Sequence, residues 1–288
     1  MPSFKSERRK DRSNLGKDPL REGKEKWRLS MQYLMTNQGK LLSAEEALEA
    51  LVEYSIIFIG EVHELRVAHE AEFAILTGLP EGDPNLVLAL EMFERDVQYI
   101  LDAYLKGQIS EDTFLERSRP WPNYQEDYRP LIEWAKKKRI PVIAANVPRR
   151  AAAGVAMAND VSPDSLGPDR IYLPATLHLD SKEYYERFAA STEEMPHGSP
   201  MKGMNLDGLF KAQVLKDAVM AASLEPYLDR RILFCCGHFH SDYHLGIPYQ
   251  LRKNHPDLRM AVITFAAAIE DLPMKDRSRI GDFIWIDE

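Results

Sequence analysis

Two glycine-led motifs carry the residues of this chain most suited to chemistry: Gly60-Glu61-Val62-His63 and Gly237-His238-Phe239-His240, with Glu91 between them in Leu88-Ala89-Leu90-Glu91. Imidazole beside carboxylate can hold a divalent metal or move a proton at neutral pH. Glu61, His63, Glu91, His238 and His240 are therefore the candidate catalytic set, and His63, Glu91 and His240 the candidate metal ligands. In that chemistry Glu91 acts as general base on a water held between it and a histidine, while His63 and His240 hold metal or a developing oxyanion. Any one of these residues alone could merely cap a helix or bond a carbonyl. Their recurrence directly after successive apolar runs argues for one shared site, because a buried carboxylate is costly unless paired or liganded. The spacings are not those of a His-Glu-x-x-His zinc signature, so a metal-free variant works equally well.

Short β-branched runs must place these groups. Ser55 to Ile59, Leu86 to Leu90, Pro141 to Ala145, Arg231 to Cys236 and Leu258 to Phe265 read as buried strands, and Asp282 to Ile286 as a further one. Between them lie helical periods: a capping box at Ser43 and Glu46, Glu64 to Thr77, Arg95 to Leu105, Tyr128 to Lys138, Pro148 to about Ala158, Asn205 to Leu228 and Pro248 to Asn254. Strands alternating with helices imply an α/β fold, a mostly parallel central sheet with helices on both faces. Ligands of such sheets bind beyond the carboxyl ends of the strands, where Glu61, His63, Glu91, Asn146, His238 and His240 all fall. Val161 to Pro200 lacks a clean period and reads as a helical and loop lid insertion. His69 shares an apolar helical stripe with Leu65, Phe73 and Leu76, as a satisfied core histidine would. Gln213 and Asp217 interrupt the apolar stripe of the Asn205 helix and must find partners inside, either orienting a site histidine or fixing helix register.

At 288 residues and 44% hydrophobic content the chain can bury one large core. Residues 1–28 hold ten Lys or Arg against five Asp or Glu, ahead of an acidic remainder, and the whole chain is −8. Residues 1–35 are expected to be a basic, solvated tail and 36–288 a single domain. An acidic body argues against a broad nucleic-acid surface. No apolar run reaches the length of a membrane span, and the polar start lacks an apolar signal region. Cys235 and Cys236, the only cysteines, are neighbours on a strand and cannot pair without distorting it, so a reducing, cytoplasmic compartment is expected. A first turn holding Glu61 and His63 also disfavours a dinucleotide, whose pyrophosphate needs open backbone amides.

The ordered series of motifs resembles the ChaN-like haem-binding family, within the wider group that includes Tiki, TraB and the erythromycin esterases. It comprises the paired Gly-x-x-His motifs, Glu91, Trp121 with Tyr128-Arg129-Pro130, Asn146 to Arg149, Gln213 to Asp217, and Gly246-Ile247-Pro248. The resemblance implies the α/β fold, a small-molecule ligand, haem as cofactor and a homodimer. Tyr124, Tyr128, Tyr172 or Tyr243, or a crevice histidine, would then ligate iron, and Arg149 or Lys202 would meet the propionates. Tyr124, Tyr128, Asn146, Arg149, Tyr243 and His244 form the candidate cofactor-binding set. The esterase and Tiki branches imply hydrolysis instead, with a divalent metal in some members.

Overall fold

β-Branched and leucine-rich runs buried on both faces make seven strands of one sheet, in the order β1-β7-β6-β2-β5-β3-β4. The computed structural model describes residues 34–63, 65–79, 84–193, 203–266, 272 and 274–286. The chain opens with β1 (Leu34–Thr36) and α1 (Ala44–Leu51), the latter held by the anticipated Ser43 and Glu46 capping box. Then come β2 (Ile56–Glu61), α2 (Arg66–Gly78), β3 (Leu86–Glu94), α3 (Gln98–Leu105), α4 (Glu111–Ser118), α5 (Arg129–Lys138), β4 (Val142–Asn146) and α6 (Arg149–Ala158). The excursion contributes α7 (Pro163–Leu166) and α8 (Lys182–Glu193); α9 (Leu206–Leu224), β5 (Arg231–Gly237), α10 (Ile247–Asn254), β6 (Met260–Ala266), α11 (Met274–Ile280) and β7 (Phe283–Ile286) complete it.

All pairings are parallel except β1 on β7. The alternation of each strand divides the core in two. Ile57, Ile59, Leu88, Leu90 and Cys235 face α1 to α5, whereas Ile56, Phe58, Val87, Phe234 and Cys236 face α9 and α10. The neighbouring cysteines are thus free, buried and on opposite faces, as their spacing requires.

Three features differ from the sequence reading. Leu34 and Met35, placed in the tail, are buried in β1, because the open edge of β7 offers hydrogen-bonding groups that a three-residue strand covers; the rest of the tail, and Lys202, lie outside the described residues. The helix α4 was not anticipated; Ser110 caps it and it buries Phe114. The helix at Asn205 ends at Leu224, ahead of a 3-10 turn containing Pro226, and it is buried on two sides rather than along one stripe. Met220, Ala221 and Leu224 meet the sheet, while Leu209, Phe210 and Leu215 meet the layer built by α6 and α8. The excursion therefore adds a third layer over one face of the sheet, which makes α9 an interior helix. No helix among the described residues is long and apolar enough to cross a membrane.

Candidate functional site

The parallel register sets Glu61, the last residue of β2, opposite Gly237, the last of β5. In β3 the ladder to β4 shifts register between Leu90 and Glu94, so Glu91 leaves regular pairing next to the end of β5. Its Oε2 accepts the Gly237 backbone N–H at 2.7 Å. The first Gly-x-x-His glycine is required by close approach: a Cβ on Gly60 would lie 2.7 Å from Ser241 Oγ and 3.0 Å from His238 Cα. Gly237 has the same role inside the crevice. A Cβ there would lie 2.9 Å from His63 Cε1, 3.0 Å from His63 Nε2 and 3.5 Å from Glu91 Oε2, so only glycine lets the His63 ring close directly against this backbone, beside Glu91.

Two histidine–carboxylate units result. In the first, His63 Nδ1 is 2.6 Å from Glu61 Oε1, which also accepts the Tyr128 hydroxyl at 2.6 Å. The carboxylate can only accept, so Nδ1 carries the proton and Nε2 is left for a ligand or a proton. Trp121 meets the His63 ring edge-on at 4.9 Å between centroids. The side chain of His63 is 46% exposed, whereas that of Glu61 is fully buried. The hydrogen bond to Glu61 outweighs burial and raises the His63 pKa.

In the second unit His240 sits between two carboxylates, with Nδ1 2.5 Å from Asp217 Oδ1 and Nε2 3.2 Å from Glu91 Oε1. Burial alone would strip its proton, but the two charges prevail and its pKa is pushed up to about 10. Burial likewise opposes ionisation of Glu91, yet the His240 charge and the Gly237 amide bring that carboxyl down to about 2. Tyr184 of α8 donates to Asp217 Oδ2 at 2.7 Å and stacks on Phe239. Gln213 reaches both the His240 ring and the Tyr184 hydroxyl. The two polar interruptions of the α9 stripe therefore orient a site histidine. Tyr184 was not anticipated, since it lies in a stretch without clean periodicity.

The other expected residues scatter. His238 lies on the rim, half-exposed, with Nδ1 3.0 Å from Asp242 Oδ2. Tyr128 belongs to the site through Glu61, placed by the turn of π-helix over Tyr124–Tyr128. Tyr124 does not: it is buried among Phe93 and Phe114. Tyr172 lies under Arg95, and Tyr243, at φ +60°, under the Arg187 guanidinium 3.2 Å from its ring centre. His244 turns away to Asp282, 3.4 Å distant. Asn146 ends β4 opposite Glu94, its buried Oδ1 without a hydrogen-bond partner among the described residues. Arg149 is exposed in the first turn of α6. His69 is buried as a core histidine, with Nε2 3.1 Å from the His63 carbonyl oxygen and Nδ1 3.2 Å from Glu72 Oε2. Glu72 escaped the sequence reading, although a glutamate three residues after His69 on the inward helix face is a signal of a buried carboxyl needing a partner.

The fold has counterparts among known proteins. The fold is similar to that of the solved structure described as cofacial heme binding to ChaN of Campylobacter jejuni, with a TM-score of 0.67 and 19% identity over 88% of this chain and 95% of that one. A histidine variant of the erythromycin esterase EreC in its open conformation is more distant, at TM-score 0.50 and 13% identity, over 88% and 97% of the two chains. In sequence, the chain is 20% identical over 254 residues to the Arabidopsis thaliana protein RETICULATA-RELATED 5, chloroplastic, covering 82% of this chain but only 34% of that longer protein. The family model for haem-binding uptake, Tiki superfamily, ChaN matches residues 47–251, and on that match the chain belongs to the ChaN family.

Proposed function

We propose that the chain binds a haem-type metalloporphyrin at the strand-end crevice, with His63 as the protein's ligand to iron. Family membership supports the ligand class. The observation that supports the residue is the His63 to Glu61 hydrogen bond, which fixes the tautomer and leaves a half-exposed Nε2 facing the crevice. Metal-ligating histidines commonly donate their other nitrogen to a carboxylate in this way. The tyrosines fit iron less well: the Tyr128 hydroxyl is committed to Glu61, and burial pushes both Tyr128 and Tyr124 above the usual phenol range, away from the phenolate that binds iron. Arg149, exposed at the same end of the sheet, suits a propionate. Bound haem would supply an iron centre that the His63 imidazole could hold, with Glu61, Tyr128 and Trp121 keeping that imidazole in place. A homodimer and a reducing compartment belong to the same proposal, the latter supported by the two free cysteines. Titration of the purified chain with haem, followed at the Soret band, is expected to give a saturable shift that His63→Ala abolishes and Tyr124→Phe leaves intact. Absence of a saturable shift, or an unchanged one in His63→Ala, sinks the proposal.

The pairing of His63 with Glu61 beside the His240 cation supports hydrolysis as a second reading, with one change of roles. Glu91, held at about 2, is a weak base at neutral pH. His63, raised by Glu61, is the better-matched general base for a water reaching its half-exposed ring, and the buried His240 cation would stabilise a developing oxyanion. His63→Ala should then lower kcat/KM on a chromogenic ester by about 100-fold or more. A wild-type rate equal to that of the denatured protein removes this reading.

A further inference from the structure

Behind the crevice, on the far side of Glu61 from His63, three potential ligands converge in the interior. Glu61 Oε1 is already taken by His63 and Tyr128, while its Oε2 lies 3.5 Å from His69 Nδ1. Glu72 Oε2 is 3.2 Å from the same nitrogen, and one ligand atom from each of the three residues lies within 4.8 Å of the others. The carboxylates are fully buried and the histidine nearly so. His69 Nε2 faces the His63 carbonyl oxygen at 3.1 Å and Asp127 Oδ2 at 3.5 Å, both acceptors, so a proton on that nitrogen is satisfied whatever Nδ1 holds. With Nδ1 deprotonated, as a metal ligand requires, its lone pair would point at the two carboxylates. Acceptors face acceptors, and Glu61 Oε2 and Glu72 Oε1 have no hydrogen-bond partner among the described residues. Protons on Nδ1 and on a carboxyl, or a single cation in their midst, would satisfy these atoms.

We propose that Glu61, His69 and Glu72 form a buried site for a divalent transition-metal cation, on the far side of Glu61 from His63 and needing no bound haem. Donors about 2.1 Å from a tetrahedral metal stand about 3.4 Å apart, and the two separations at His69 Nδ1 bracket that value. The His69 N–H to a backbone carbonyl is the outer contact that orients a ligating imidazole. One nitrogen and two carboxylates suit zinc, manganese or ferrous iron. A dication also neutralises both carboxylates, whereas a single shared proton leaves a net negative charge in the core. Glu61 joins the two places: the cation on its Oε2 would draw charge from the oxygen that holds His63.

The test is metal content of the tag-free full chain by mass spectrometry, before and after reloading with zinc chloride or manganese chloride and dialysis. About one cation per chain is expected in the wild type and in His63→Ala, falling at least about tenfold in Glu72→Gln and His69→Ala. A wild type that stays metal-free after both reloadings overturns the proposal and leaves a shared proton as the occupant. Loading retained in Glu72→Gln, or lost in His63→Ala, overturns it equally. Should Glu72→Gln fail to fold, X-ray absorption at the metal edge of the wild type decides: a nitrogen and oxygen shell with one imidazole supports the site, and two imidazoles would place the metal at His63 and His240 instead.

Discussion

The two Gly-x-x-His motifs yield histidines with the same kind of partner and opposite characters. His63 stands at the mouth of the crevice with one carboxylate behind it, 46% exposed, its ring set closely against Gly237. His240 is enclosed between Glu91 and Asp217 and holds its proton to about pH 10. Burial makes the difference: a desolvated imidazolium persists only where two carboxylates outweigh the lost hydration, and such a group orders its surroundings rather than exchanging protons near neutrality. An open imidazole with one partner remains free to bind or to titrate. The first motif is thus arranged for chemistry and the second for holding the site together.

The largest expected effect breaks the enclosed unit. Asp217→Ala leaves a buried cation short of a partner and removes the acceptor of Tyr184, so urea unfolding should show a loss of about 3–5 kcal/mol; a loss under about 1 kcal/mol would mean the pair is not closed in solution. The pH profile of thermal stability comes next. His240 holds its proton more tightly folded than at its ordinary 6.5, so its contribution is complete below pH 6.5 and is lost as pH rises through about 10. Glu91 runs the other way, contributing above its ordinary 4.5 and losing that contribution as pH falls toward about 2. The alkaline slope should flatten in His240→Gln; parallel slopes in the two proteins would reject the enclosed cation. Gly237→Ala sharpens the contrast from the other side, since its methyl must displace the His63 ring. A cost of about 1–3 kcal/mol is expected with weakened haem binding, and full binding would show that the position of His63 against Gly237 is not needed. His63→Ala should be the mildest in stability, within about 1 kcal/mol, while losing ligand; strong destabilisation would put His63 with His240 as a structural residue.

The continuous burial of Ile56 to Glu61 and of Ile232 to Gly237, the alternation of strand and helix and the gathering of Glu61, His63, Glu91 and His240 at one edge were legible because each depends on composition and spacing along a single element and on where parallel strands end. Lone tyrosines were not, because an aromatic ring serves a core as readily as a ligand: Tyr124 went to the Phe93 and Phe114 cluster, Tyr128 to Glu61, and Tyr184 came from an aperiodic stretch to hold Asp217. Residue type and spacing by themselves therefore determined the fold class, the sheet edge where the charged groups gather and most of those groups. Tertiary structure alone decided which histidine is open and which is locked, that Glu72 turns toward Glu61 and His69, and that α9 is interior. Protonation and ligation depend on how many partners surround a group and how much water is excluded, and both are set by elements far apart in the chain.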